Sequence, residues 1–171
     1  MKNLFLLIVV LPFVLFSQKT IQEELQLKNR EIELPGTLSF SETQTKQPLV
    51  IFIHGSGNID RNGNQAGVGI KANYIKTLAD SLNQRGIAFY RYDKRTATLS
   101  NLNKLGTITL LDFVDDAKIA IAQFKKDTRF SSLFLIGHSQ GSLIGMMSIT
   151  PEISGYITIA GPGQSIDNTI I

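Results

Sequence analysis

The sequence predicts an α/β domain with a doubly wound, mostly parallel sheet and antiparallel strands at its N-terminal edge. Three observations carry this. Continuous apolar runs at Leu49–Ile53, Ile87–Tyr90, Leu133–Ile136 and Tyr156–Ala160 read as strands, the run at Leu49 being one covered on both faces. Residues at helical spacing separate them: Tyr74, Ile75, Leu78, Ala79 and Leu82, then Phe113, Val114, Ala117, Ile121 and Phe124. Upstream, Leu25-Gln-Leu27 and Ile32-Glu-Leu34 alternate apolar with polar residues, the period of half-exposed strands joined by tight turns. Strands alternating with helices at this spacing favour parallel pairing.

At 171 residues the chain suffices for one domain with a sizeable core. Its net charge is +3, with Lys and Arg scattered among carboxylates, so nothing suggests a nucleic-acid groove. The absence of cysteine excludes disulfides, thiolate metal sites and a cysteine nucleophile. Met1-Lys2-Asn3 followed by an apolar stretch from Leu4 to Phe16 reads as a secretory signal, ending near Ser17. The apolar stretch is too short to span a bilayer. Leu15 occupies a place where a smaller residue is preferred, which keeps an uncleaved anchor as the competing reading. The expectation is an exported protein, periplasmic or secreted, with a signal over 1–17 and a domain over 18–171. No stable membrane insertion is expected after cleavage.

The elements follow in order. Leu38 and Phe40, beyond Pro35-Gly36, continue the N-terminal alternation, and Ser41–Pro48 reads as a loop. The Leu49 strand stops at His54-Gly55-Ser56-Gly57, and a polar loop runs from Asn58 to Gly69. Asn73 is a candidate cap for the next helix and Gly86 its terminator. The Ile87 strand runs into Asp93-Lys94-Arg95. Thr109 and Asp112 form a candidate capping box before the second helix. The Leu133 strand leads into Gly137-His138-Ser139-Gln140-Gly141, a helix-like segment from Leu143 to Ser148, and the last strand, which ends at Gly161-Pro162-Gly163.

A Gly-x-Ser-x-Gly between an apolar strand and a helix places Ser139 at the tip of a sharp turn with its hydroxyl exposed. A Cβ at position 137 or 141 would strike the neighbouring strand or helix. The bland alternative is a loop serine beside turn glycines. Ligands in open parallel sheets bind outside the carboxyl ends of the strands, and three unusual loops begin there, at His54, Asp93 and Gly137. An acyl-transfer serine needs fixed donors for the developing oxyanion, and backbone N–H groups serve. The candidates are the amides of Gln140, just after the serine, and of Ser56, in the glycine-rich turn. A phosphate loop at Gly55-Ser-Gly57 lacks both the third glycine of a dinucleotide fingerprint and a following Gly-Lys-Ser/Thr.

Taken in order, His54-Gly-Ser-Gly57, Asp60-Arg61-Asn62-Gly63, Tyr92-Asp-Lys-Arg95, Asp115-Asp116, Gly137-His-Ser-Gln-Gly141 and Ala160-Gly-Pro-Gly163 resemble the α/β-hydrolase superfamily. Within it, the likeness is to bacterial serine esterases and related S9/S33-type hydrolases. It runs from about Leu49 to the end of the chain. The resemblance implies Ser139 as nucleophile, oxyanion donors at Ser56 and Gln140, and ester, thioester or peptide-like substrates. Thr96-Ala97-Thr98 stands where the family often has a glycine-rich turn.

Serine also needs a base and an acid to orient it, and in this superfamily both follow the serine. No histidine follows Ser139, and the carboxylates that do are Glu152 and Asp167. Asp167 is either that acid or, more simply, part of a helix cap. His54 and His138 are poor bases on geometry and are expected to be structural, His54 by hydrogen-bonding its loop. Asp60 and Arg61 match a family motif or form a loop-stabilising ion pair. Asp93 and Arg95 are expected to buttress loops. No His/carboxylate cluster has metal-ligand spacing, so neither metal nor cofactor is expected. The expectation is an N-terminal part of a serine hydrolase fold lacking its last strands, inactive alone, with acid and base beyond Ile171. Such a chain would expose an apolar edge at Tyr156–Ala160. The reading from another class is a non-catalytic exported binding module that lacks the catalytic histidine.

Overall fold

The computed structural model describes residues 19–43 and 45–163. The predicted signal at 1–17 and the Asp167 candidate lie outside them. Among the described residues, eight strands and three α-helices follow in chain order: β1 (Thr20–Asn29), β2 (Ile32–Ser41), β3 (Gln47–Ile53), β4 (Asn64–Gln65), β5 (Ile70–Lys71), α1 (Tyr74–Asn83), β6 (Ala88–Tyr92), α2 (Leu110–Phe124), β7 (Phe130–His138), α3 (Gln140–Ser148) and β8 (Ile153–Ile159). The main sheet has the order β1-β2-β6-β3-β7-β8. β6, β3, β7 and β8 pair in parallel, while β1 and β2 join antiparallel at one edge. This is the predicted doubly wound sheet with its antiparallel N-terminal strands.

β3 is the spine. It lies between β6 and β7, and Leu49 to Ile53 are all buried, as a strand covered on both faces must be. Each such Leu, Ile or Phe contributes about 1.5–3 kcal/mol by leaving water. On one face, α2 and α3 deliver Val114, Ala117, Ile121, Phe124 and Ile144 onto Leu49, Ile51, Ile53 and Leu135. On the other, α1 lays Ile75 and Ala79 against Val50, Phe52, Phe89 and Ile136. The apolar spacing read from each helix is therefore the face it buries.

Three local expectations need correction. Pro35-Gly36 does not interrupt the N-terminal strands, because it lies inside β2, opposite Gln26 and Leu25 of β1. The turn is Arg30-Glu31, where Arg30 takes a φ of 57°. The Asn58–Gly69 loop is partly ordered into a small hairpin, Asn64-Gln65 against Ile70-Lys71. Asn73 sits at the cap position of α1 but does not cap it. Its backbone is left-handed (φ 49°), and its side-chain oxygen accepts instead from Asn64 Nδ2 at 3.1 Å. The Thr109–Asp112 capping box does form, with the Asp112 carboxylate accepting the Thr109 N–H at 2.8 Å.

Candidate active site

In-register parallel pairing puts the carboxyl ends of β6, β3 and β7 side by side: Ile51 opposes both Tyr90 and Leu135, and Ile53 opposes Gly137. The loops beginning at His54, Asp93 and Ser139 therefore converge, as the order of apolar runs implied.

Ser139 joins β7 to α3 with φ 53° and ψ −121°, a conformation that side chains other than glycine rarely adopt. The surroundings enforce it. Its N–H donates to Ile159 O at 2.9 Å, and its carbonyl accepts from Ser142 N at 2.9 Å. Ser142 Oγ donates back to Gly137 O at 2.9 Å, and Tyr156 hydroxyl donates to Ser142 O. The glycines on either side allow no substitute. A Cβ on Gly137 would collide with the backbone of Gly141, and one on Gly141 with the carbonyl oxygens of Ile53 and His54. Ser139 itself is half-buried, reachable from solvent rather than tucked into the core.

The loop after β3 presses onto this turn. A Cβ on Gly55 would stand 3.2 Å from Ser139 Cβ, so the peptide leading to Ser56 passes directly beside the serine. Ser56 is exposed. Gln140 occupies the first position of α3, where the amide has no partner within the helix. A hydroxyl at a strand-to-helix corner, with the Gly55–Ser56 peptide on one side and the start of α3 on the other, is the layout compared below with known proteins.

His54 Nε2 and His138 Nδ1 form no hydrogen bond to the serine among the described residues. His54 is fully buried, edge-on to Tyr92 with ring centroids 5.0 Å apart, and its Nε2 has no partner among the described residues. Burial first, and the Lys94 charge second, push its pKa down to about 3, so it stays neutral. Its Nε2 makes no hydrogen bond to the loop and is held in aromatic packing instead. His138 packs its ring 5.5 Å from that of Tyr74, and its Nδ1 also lacks a partner among the described residues.

The charged residues of the loops buttress, with one correction. Asp60 does not pair with Arg61. Its carboxylate turns back on its own loop and accepts the N–H groups of Asn62 and Asn64, both at 2.8 Å. Arg61 pairs instead with Asp93 at 2.9 Å and Glu24 at 2.5 Å. Arg95 reaches Asp116 at 2.7 Å and Asp112 at 3.0 Å. The residue missed from sequence is Lys94. It is buried at 4% exposure beneath the serine turn, donating from Nζ to Gly55 O at 2.7 Å and Gln140 Oε1 at 3.2 Å. Its place between Asp93 and Arg95 at the end of a strand gave no local signal that set it apart.

Comparison with known proteins agrees with this fold. Residues 66–162, more than half of the chain, match the family described as serine aminopeptidase, S33. The chain is 29% identical to esterase EstD of Thermotoga maritima over 80% of its own length and 32% of that protein's. It thus spans about a third of the curated relative it matches. Among solved structures, it superposes on the α/β-hydrolase GrgF of Penicillium (TM-score 0.63, 17% identity, 84% of this chain and 46% of that one). Dienelactone hydrolase of Anabaena variabilis gives a TM-score of 0.63 at 16% identity, over 83% of this chain and 64% of that one. Est1E of Butyrivibrio proteoclasticus gives 0.57 at 23% identity, over 80% and 51%. With a sheet of this order, a strained serine at the β7–α3 corner and a family match over most of the elements that carry it, the chain belongs to the S33 serine aminopeptidase family of α/β-hydrolase-fold serine hydrolases.

Proposed function

We propose that this chain carries the nucleophilic half of an esterase-type serine hydrolase, with Ser139 attacking the acyl carbon and the amides of Ser56 and Gln140 receiving the oxyanion. The observation that carries the reading is the backbone of Ser139. A non-glycine residue held at φ 53° by the Ile159 and Ser142 hydrogen bonds is strain that the surroundings maintain, and such strain concentrates at reactive sites. The attack forms the bond from Ser139 Oγ to the acyl carbon, moves the carbonyl electron pair onto oxygen, and passes the hydroxyl proton to a base. The chain has only two histidines, and both are engaged in packing. The base therefore comes from outside these residues, we place its acid partner with it, and the 171-residue chain alone is expected to be inactive or nearly so. The leaving alcohol, thiol or amine marks the substrate as a carboxylic ester, thioester or peptide-like compound; the esterase relative favours the ester. The apolar stretch from Leu4 to Phe16 supports export to the periplasm or beyond.

The test is hydrolysis of p-nitrophenyl butyrate by the full-length natural protein. Ser139→Ala is expected to lower kcat by roughly 10³-fold or more with little change in KM. Turnover that survives the substitution would remove Ser139 from the chemistry. A full-length protein that binds acyl esters without turning them over would instead be a binding module.

A further inference from the structure

Lys94 begins the loop after β6, and its ammonium is enclosed rather than paired. Among the described residues it forms no salt bridge; Nζ donates to Gly55 O at 2.7 Å and Gln140 Oε1 at 3.2 Å, and lies 4.5 Å above the Phe113 ring. A cation taken out of water with no anion beside it is expensive to keep. Burial correspondingly pushes its pKa down to about 8. The neighbouring carboxylates are committed elsewhere: Asp93 to Arg61, and Asp116 to Arg95 and Asn29. His54 and Tyr92 line with it a residual cavity of about 10 Å³, too small to admit a ligand.

What the ammonium touches gives its role. The peptide joining Gly55 to Ser56 is planar and trans, so the Gly55 carbonyl and the Ser56 N–H point in opposite directions. A cation fixed on that oxygen therefore sets the direction of the N–H, and draws electron density so that the N–H becomes a stronger donor. The same ammonium holds the side chain of Gln140, whose own amide is the other donor. Two loops from strands not consecutive in the chain are thus joined at one charged atom, through the residues that flank the serine turn.

We propose that Lys94 is a positioning residue of the acyl-transfer site, orienting and polarising the Gly55–Ser56 peptide and bracing Gln140 so that both main-chain donors face the developing oxyanion. The proposal rests on the assignment of Ser56 and Gln140 as those donors. It adds a fixed positive charge to the site, one peptide removed from the substrate, without placing a titrating side chain against the reacting atoms.

The test uses the full-length protein and two independent readouts. The first needs no turnover: the backbone amide shifts of Ser56 and Gln140 are followed by NMR from about pH 6.5 to 10. In the wild type both are expected to move together with one inflection near pH 8; in Lys94→Met that inflection is expected to vanish. His54, His138, Tyr74, Tyr92, Asp93 and Asp116 face the same loops, and Lys94→Met retains all of them. The second readout is kinetic, with kcat on p-nitrophenyl butyrate falling about 10- to 100-fold and KM changing less than about threefold. Wild-type amides without a shared inflection would overturn the proposal even if no variant folded, and so would a variant whose amides and kcat match the wild type. If Ser139→Ala leaves turnover intact, the functional reading fails by itself, while the amide titration still reports whether Lys94 sets the two donors.

Discussion

Lys94 and Arg95 are neighbours in sequence and both nearly fully buried, at 4% and 5% exposure, yet their surroundings treat the two charges in opposite ways. Arg95 points towards α2, where Asp116 takes it bidentately, both bonds at 2.7 Å, and Asp112 adds a third contact at 3.0 Å. Asn29 of the first hairpin completes that cluster through Asp116 at 2.9 Å. Lys94 points towards the serine turn and finds carbonyl oxygens and a ring. The difference separates two uses of a buried cation. One is cancelled and ties three elements together; the other is left uncancelled, so its field reaches the loops that surround Ser139.

The largest effect should come from stripping the cancelled charge. Arg95→Met leaves Asp116 buried with only Asn29 beside it and is expected to cost about 3–5 kcal/mol in urea unfolding. Lys94→Met removes a cation that had no counter-charge, and its stability is expected to lie within about 1 kcal/mol of wild type, or above it. Equal losses from the two substitutions would erase the distinction.

The pH dependence is the next largest. Folding lowers the Lys94 pKa from 10.5 to about 8, so between those values the unfolded chain holds a proton that the folded one has released. The burial cost is present in full below about pH 8 and is relieved as pH rises towards 10.5. Urea midpoints of the wild type relative to Lys94→Met should therefore rise across that window. A flat difference would mean that the ammonium is better solvated than its burial implies.

The smallest effect belongs to a third cation, Arg61, whose outer partner Glu24 has a side chain 61% exposed. Glu24→Gln is expected to lose less than about 1 kcal/mol, and less again at high salt. Chemical denaturation at two ionic strengths checks this. A loss comparable with that of Arg95→Met would show that the rim pair is far less screened than its exposure suggests.

What could be read from sequence divides along the same line. The sheet, the three converging loops and the serine corner are written in local patterns: apolar runs, helical spacing, and glycines where backbones must nearly touch. Ser139, Ser56 and Gln140 were named as candidates from those patterns together with a family resemblance. The antiparallel edge was legible in its alternation but not in its turn, since Pro35-Gly36 looks like punctuation and yet lies within a paired strand. The ion pairs were not legible. Asp116 is 21 residues from Arg95, and Asp60 prefers backbone amides two and four residues away to the arginine beside it. Lys94 was the least visible, because its partners are a carbonyl and an amide on two other strand ends. Nothing in Asp-Lys-Arg announces them.

The first hairpin strand has a consequence of its own. Successive residues of a strand face opposite sides, and β1 uses that alternation to grip both layers. Glu23 takes Arg129, at the entry to β7, at 2.9 Å, while the adjacent Glu24 takes Arg61, in the loop leaving β3. A single outermost ribbon thus staples the start of one central strand on one side and the exit of another on the opposite side. Peeling it away would break both pairs in the same event, and with them the link from that border to each flank.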